Sequence, residues 1–195
     1  MKIINYVGMN KKVLDVGCAS GYLAERLKKN ECYVVGIEID EAATKTAKQF
    51  CDNIIVGDVE QLNELPYPSK FFDVIVYSDI LEHLKRPDLV LIKFKKYLAP
   101  KGCVIASIPN VARFEVRLKL LLGKFDYTDT GHLDVTHLRF FTIKTAKQLL
   151  ESTGYKVEKV DYTGLASRIS VLKLFPTLFA NQIILIAKSI ESETQ

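Results

Sequence analysis

The stretch VLDVGCASGYLAERL, Val13 to Leu27, passes from an apolar run through a turn of small residues into an amphipathic pattern. Gly17, Cys18, Ala19 and Gly21 would let a ligand come close to the backbone there. A helix beginning just after them would add free N–H donors and the positive end of its dipole. That is a ligand site at the carboxyl end of a strand. A dinucleotide fingerprint fits it poorly: counting from Gly17, the second and third glycine positions hold Ala19 and Tyr22. A nucleoside triphosphate loop would close with Gly-Lys-Ser/Thr, and this one does not.

The elements that must carry this turn follow from patterning. KKVLDVG, CYVVGIEID, NIIVGD, FFDVIVYSD and GCVIASIPN are short, nearly continuous apolar runs, read as strands buried on both faces. Between them lie amphipathic helices: SGYLAERLKKN, EAATKTAKQF with Asp40 as its cap, and RPDLVLIKFKKYLAP with Pro87 near its start. Such alternation predicts an α/β, doubly wound parallel sheet with right-handed crossovers and helices on both faces. Residues 109–141 break the regularity: VARFEVRLKLLLG reads as helix, and the rest has no clean period. TIKTAKQLLESTG is a helix capped by Thr142 and stopped by Gly154. YKVEKVDY and NQIILIAKS are the last strands, and SIESETQ reads as a frayed end.

Composition sets the outer bounds. With 195 residues, 48% hydrophobic and 26% charged, the chain suits one globular domain over 1–195. Its net charge of +4 comes from 27 scattered Lys and Arg, so no nucleic-acid partner is expected. Four cysteines without a CxxC or an accompanying histidine cluster argue against a disulfide framework and against a structural metal. They suit a reducing, cytoplasmic setting. No run is long enough for a transmembrane helix, and no signal-peptide pattern opens the chain.

DVGCASG resembles the first motif of class I S-adenosylmethionine-dependent methyltransferases, an acidic residue followed by G-x-G-x-G, with Ala19 in the middle glycine's place. The resemblance extends over about residues 10 to 190, and includes FDVIVYSDILEHL and LAPKGCVIASIPN as the fourth- and fifth-strand segments. The chain is thus similar to small bacterial and archaeal methyltransferases of the type 11, type 12 and domain 23 kinds. The resemblance implies a Rossmann-like, seven-stranded, mostly parallel sheet with the last strand antiparallel, and S-adenosylmethionine as cofactor. It places Asp15, Gly17, Cys18, Ala19 and Gly21 around the cofactor. It gives Glu38, with Ile39, the ribose hydroxyls, and a carboxylate's two acceptor oxygens do match a vicinal diol. Asp58, with Val59, would take the adenine. Tyr77, Ser78 and Asp79 would lie beside the methionine portion. Residues 109–141 would be the acceptor-recognition insertion.

Methyl transfer is an in-line displacement that needs alignment and, for a hydroxyl acceptor, a general base worth about 10²–10⁴-fold. Three histidines exist: His83 in DILEHL, and His132 and His137 in TDTGHLDVTHLRFF. These are the candidate catalytic residues. The alternative for His137, together with Arg139, is a structural tie between insertion and domain. GHLDVTHLRFFT resembles a segment of family members acting on glycans and related small molecules. The expected reaction is therefore O-methylation of a small-molecule or glycan-type acceptor by a monomer or homodimer. The apolar, basic stretches 111–123 and 165–180 leave room for a lid, a dimer surface or a lipid-linked acceptor. A non-catalytic cofactor-binding module and a nicotinamide-dependent oxidoreductase are the alternatives.

Overall fold

In a computed structural model, residues 2–165 and 174–190 are described. Residues 166–173, half of the 165–180 stretch, and residues 191–195 therefore lie outside the described residues. Seven strands form one sheet: β1 (Lys12–Val16), β2 (Tyr33–Glu38), β3 (Asn53–Val56), β4 (Phe72–Ser78), β5 (Leu98–Pro109), β6 (Tyr155–Gly164) and β7 (Ala180–Ser189). Their order is β3-β2-β1-β4-β5-β7-β6. The first five pair in parallel, and β7 runs antiparallel to both β5 and β6. The doubly wound, mostly parallel sheet with an antiparallel last strand is the architecture expected from the sequence.

The strands are apolar throughout because each face has its own cover. Leu14, Val35, Ile75, Tyr77, Val104 and Leu185 join one core. It is closed by α4 (Pro87–Lys95) and α6 (Ile143–Ser152) through Leu91, Phe94, Ala146 and Leu150. Their strand neighbours Val13, Val34, Val74, Val76, Ile105 and Ile184 face the other way. There α1 (Lys2–Val7), α2 (Tyr22–Lys28) and α3 (Glu41–Ala47) cover them. Each wholly buried aliphatic side chain contributes about 1.5–3 kcal/mol before entropy is charged against it.

The caps fall where the sequence puts them. Asp40 accepts from the N–H groups of Ala42 and Ala43, and Thr142 forms a capping box with Thr145. Three boundaries differ. Helix α1 arises in the segment before β1, where no element is expected, because Ile3 and Val7 are buried against α2 and the sheet. Its outer side is tied to β6 by Lys2 and Tyr6, both donating to Asp161. The helix read at 111–123 is only α5 (Phe114–Leu121), since a single residue of it, Val116, is buried. Strand β5 begins at Leu98 rather than at 102, pairing with Phe72 before the register shifts.

Gly36 in β2 shows how tightly the turn after β1 is seated. A Cβ there would lie 2.5 Å from Cys18 Sγ and 3.3 Å from Cys51 Sγ. Gly36→Ala is expected to cost about 1–3 kcal/mol by overpacking. In a Cys18→Ala background most of that loss should disappear. Denaturant titration of the four proteins checks this, and an undiminished loss in the double variant would exonerate the sulfur.

Candidate functional site

The turn after β1 is built from three left-handed residues: Gly17 at φ 74°, Ala19 at 45° and Gly21 at 81°. Gly21 packs close to α3, for a Cβ would sit 2.9 Å from Ala47 Cα. Ala19 has no such freedom, and its conformation costs about 1–2 kcal/mol. Its N–H is held by Glu38, donating to Oε2 at 2.8 Å. Glu38 Oε1 accepts from the N–H groups of Ile39 and Asp40, at 2.8 and 2.9 Å. Glu38 thus locks the turn to the end of β2, and Oε2 retains a free acceptor direction.

Asp15 lies beneath this turn, 2% exposed, and its Oδ2 has no partner. Burial, with the nearby Glu38 charge adding to it, pushes its carboxyl up to about 7. Cys18 is a buried thiol pushed up by its hydrogen bond with Cys51 and by burial, so it is no nucleophile.

A cavity of about 250 Å³ opens above, lined by Gly17, Glu38, Ile39, Asp58, Val59 and His83. Ile37, Ile80 and Leu84 give it apolar walls. Asp58 Oδ1 accepts from Glu60 N at 2.8 Å, bending the chain after β3. Glu60 in turn accepts from Lys85 N and Arg86 N, while Lys93 donates to the carbonyls of Val59, Glu60 and Leu62. The far wall is therefore tied to α4.

A second cavity of about 280 Å³ adjoins the first at His83. Asp79, Glu82, His132, Asp134, His137 and Gln182 are among its lining residues. Segment 109–141 reaches it by docking on the turn after β4, a 3-10 helix at Leu81–His83. The Glu82 carbonyl accepts from both Leu138 N and Arg139 N, at 2.9 and 3.0 Å, and the Arg139 guanidinium donates to the Lys85 carbonyl. The segment's ends meet where Val111 N donates to the Phe141 carbonyl, 2.9 Å away. Asn110 is fully buried and donates to the carbonyls of Thr177 and Ala180.

This docking brings His137 against His83, ring centroids 4.7 Å apart. His83 Nδ1 lies 3.3 Å from the Thr136 carbonyl and 3.1 Å from Thr136 Oγ1. His132 has both ring nitrogens engaged, Nε2 with the Asn181 carbonyl at 2.9 Å and Nδ1 with Arg113 at 3.4 Å. Burial holds both His132 and His137 below the ordinary imidazole range, so both are neutral near pH 7. Glu82 is 1% exposed with neither carboxylate oxygen partnered, and burial pushes it up to about 8.

The structure redistributes several expected roles. Tyr77, expected beside the cofactor, is wholly buried in the core and lines neither cavity, because its position in β4 points to the α4 face. Asp79 opens on the second cavity, where Gln182 Nε2 donates to it at 2.6 Å and Ser78 Oγ lies 3.2 Å away. His132 forms a wall, its nitrogens already spent. Glu60, Glu82 and Gln182 escaped the sequence reading. An acid beside a histidine in DILEHL, and two amides opening NQIILIAKS, were the only signals.

A family model described as a methyltransferase domain matches residues 5–160. A ubiquinone biosynthesis O-methyltransferase of Coxiella burnetii is 28% identical over 164 residues, covering 80% of this chain and 67% of that protein. A probable S-adenosylmethionine-dependent methyltransferase of Mycolicibacterium smegmatis is 27% identical over 148 residues, covering 76% of this chain and 53% of its own length. A SAM-dependent methyltransferase from Archaeoglobus fulgidus superposes with a TM-score of 0.71 at 22% identity, over 96% of this chain and 90% of that one. The chain belongs to the methyltransferase domain family. It is an S-adenosylmethionine-dependent methyltransferase, and S-adenosylmethionine is its cofactor. The first cavity suits that molecule: an apolar slot for a purine, with carboxylates at its rim for hydroxyl and amino donors. The oxidoreductase and non-catalytic alternatives are set aside.

Asp15 gives a pH test. Folded, it keeps its proton up to about pH 7; unfolded, it loses it near pH 4. The folded chain therefore holds one more proton across that window, and stability falls as pH rises through it, by at most about 4 kcal/mol. Asp15→Asn should flatten this slope and stabilise the protein more at pH 8 than at pH 5. Denaturant midpoints at the two pH values decide, and parallel profiles would mean that Asp15 is ionised when folded.

Proposed function

We propose that the enzyme methylates a hydroxyl oxygen of a small-molecule or glycan-type acceptor bound in the second cavity. The carrying observation is that this polar, histidine-lined cavity meets the cofactor cavity at His83. The cofactor supplies an activated methyl group on a sulfonium. Glu38 Oε2 would hold a ribose hydroxyl, and Asp58, Val59, Ile39 and Ile80 would receive the adenine. Gly17 keeps the backbone open beneath it. The acceptor lies among Asp79, His83, Asp134 and His137, with segment 109–141 as its recognition element. Its proton would leave to this cluster as its oxygen takes the methyl group and the methyl–sulfur bond breaks, releasing the thioether; a neutral imidazole can accept that proton and a cationic one cannot. The name of the Coxiella relative, an O-methyltransferase, supports oxygen as the atom modified.

A lipid-linked acceptor is a second reading, favoured by one feature. Leu118, Leu120, Leu121 and Leu122 are 44–83% exposed on and just beyond α5, an apolar surface fit for a bilayer interface. Among the described residues no helix is long and apolar enough to cross a membrane.

Glu38→Gln should weaken S-adenosylmethionine binding about 10-fold and Glu38→Ala about 100-fold, as first the charge and then the acceptor oxygen with its hold on Ala19 N–H are lost. Calorimetry of purified variants checks this. His83→Asn should leave that affinity unchanged while lowering turnover about 10²–10⁴-fold. Mass spectrometry of products from a panel of phenols, catechols and sugars tests the acceptor atom, and exclusively N-methylated products would refute the reading.

A further inference from the structure

Glu82 is a physical anomaly among the buried groups. A buried carboxylate ordinarily collects two or more donors, yet both of its oxygens are without a partner. What surrounds it is two imidazoles. Glu82, His83 and His137 each offer one ligand atom, and these atoms all lie within 4.8 Å of one another. The His83 ring is also oriented in the manner of a metal ligand, its Nδ1 turned to the Thr136 carbonyl at 3.3 Å, and the His137 ring packs edge-on against it, centroids 4.7 Å apart. A carbonyl partner fixes a proton on that nitrogen and leaves a lone pair on the other. The absence of a metal centre, expected from the isolated cysteines, is a statement about linear spacing. Here the two histidines stand 54 positions apart, and segment 109–141 closes the gap.

We propose that Glu82, His83 and His137 bind one divalent transition-metal cation, with its open coordination position facing the second cavity. Two imidazoles and one carboxylate form a three-ligand set suited to zinc or its neighbours in the first row. Magnesium and calcium, which prefer oxygen ligands throughout, suit it badly. The cation supplies the positive partner that Glu82 lacks, and it fastens the 109–141 segment to the turn after β4. Asp79 and Asp134 stand at the same cavity wall and add negative potential. The consequence for catalysis rests on the acceptor reading: an acceptor hydroxyl at the open position would become more acidic, and with both imidazoles engaged on the metal its proton would pass to Asp79 or Asp134, the remaining members of that cluster.

The test uses the full chain, stripped with a chelator and dialysed. Zinc chloride is titrated by calorimetry, and cobalt chloride is followed by its visible ligand-field absorption. One ion per chain is expected, with a rise in melting temperature on binding. Glu82→Gln and His137→Gln should each weaken zinc binding by at least about 100-fold and abolish the cobalt bands. Both variants should still bind S-adenosylmethionine, which shows that they are folded. No stoichiometric binding, or binding of wild-type strength in both variants, overturns the site. If zinc binds as described and no hydroxyl compound is methylated, the metal site stands and the acceptor reading falls.

Discussion

Everything in this molecule depends on burying a parallel sheet on both faces. A strand covered on both sides has no polar alternate positions, so the chain must supply helices to each face. It does so by winding one way from β1 through β2 and β3, and the other way from β4 to β5. The connections leaving β1 and β4 at their carboxyl ends part there, and a crevice opens above β1. Gly17, Glu38 and Asp58 all stand at that edge. They reach it from three separate strands because parallel strands end together.

The edge is also where the fold tolerates unsatisfied groups. Among the described residues, the buried polar atoms lacking partners are on Asp15, Tyr77, Glu82 and Gln182. Asp15, Tyr77 and Gln182 lie in β1, β4 and β7, and Glu82 lies just beyond β4. Each such atom costs about 1–3 kcal/mol, a loss offset by the apolar packing on the two faces. Asp15 sits under the turn that approaches the cofactor, and Glu82 sits at the floor of the second cavity. Tyr77 is the exception, its hydroxyl unpartnered within the core on the α4 face.

The second cavity has a different origin. It depends on one carbonyl, that of Glu82, gripped by two successive N–H groups of the 109–141 segment. With Asn110 and Phe141 pinning the segment's ends, that grip sets where His137 falls. The same contact buries the Glu82 carboxylate and turns it toward the two rings. Fold and chemistry therefore meet at a single docking event. The alternative offered for His137 and Arg139, a structural tie, holds fully for Arg139, whose guanidinium reaches the Lys85 carbonyl.

The sequence by itself determined the sheet, the order of its elements, the caps at Asp40 and Thr142, and the cofactor edge. These are legible because they are local: period, turn chemistry and strand ends are written within a dozen neighbouring residues. Glu38 and Asp58 lie at the ends of apolar runs that stand out in the sequence, and the family resemblance is what assigns them to the cofactor. The short helix α1 was invisible, since six residues show a helical face only once Ile3 and Val7 have something to pack against. Tyr77 could not be assigned to a side of β4, because a strand apolar on both faces carries no alternation to read. Only the tertiary structure decided which histidines meet. His83, His132 and His137 look alike in the sequence, but long-range hydrogen bonds consume both nitrogens of His132 and turn Nδ1 of His83 to Thr136, while packing sets the His137 ring against His83. Contacts between residues some fifty positions apart have no period, and packing alone selects them.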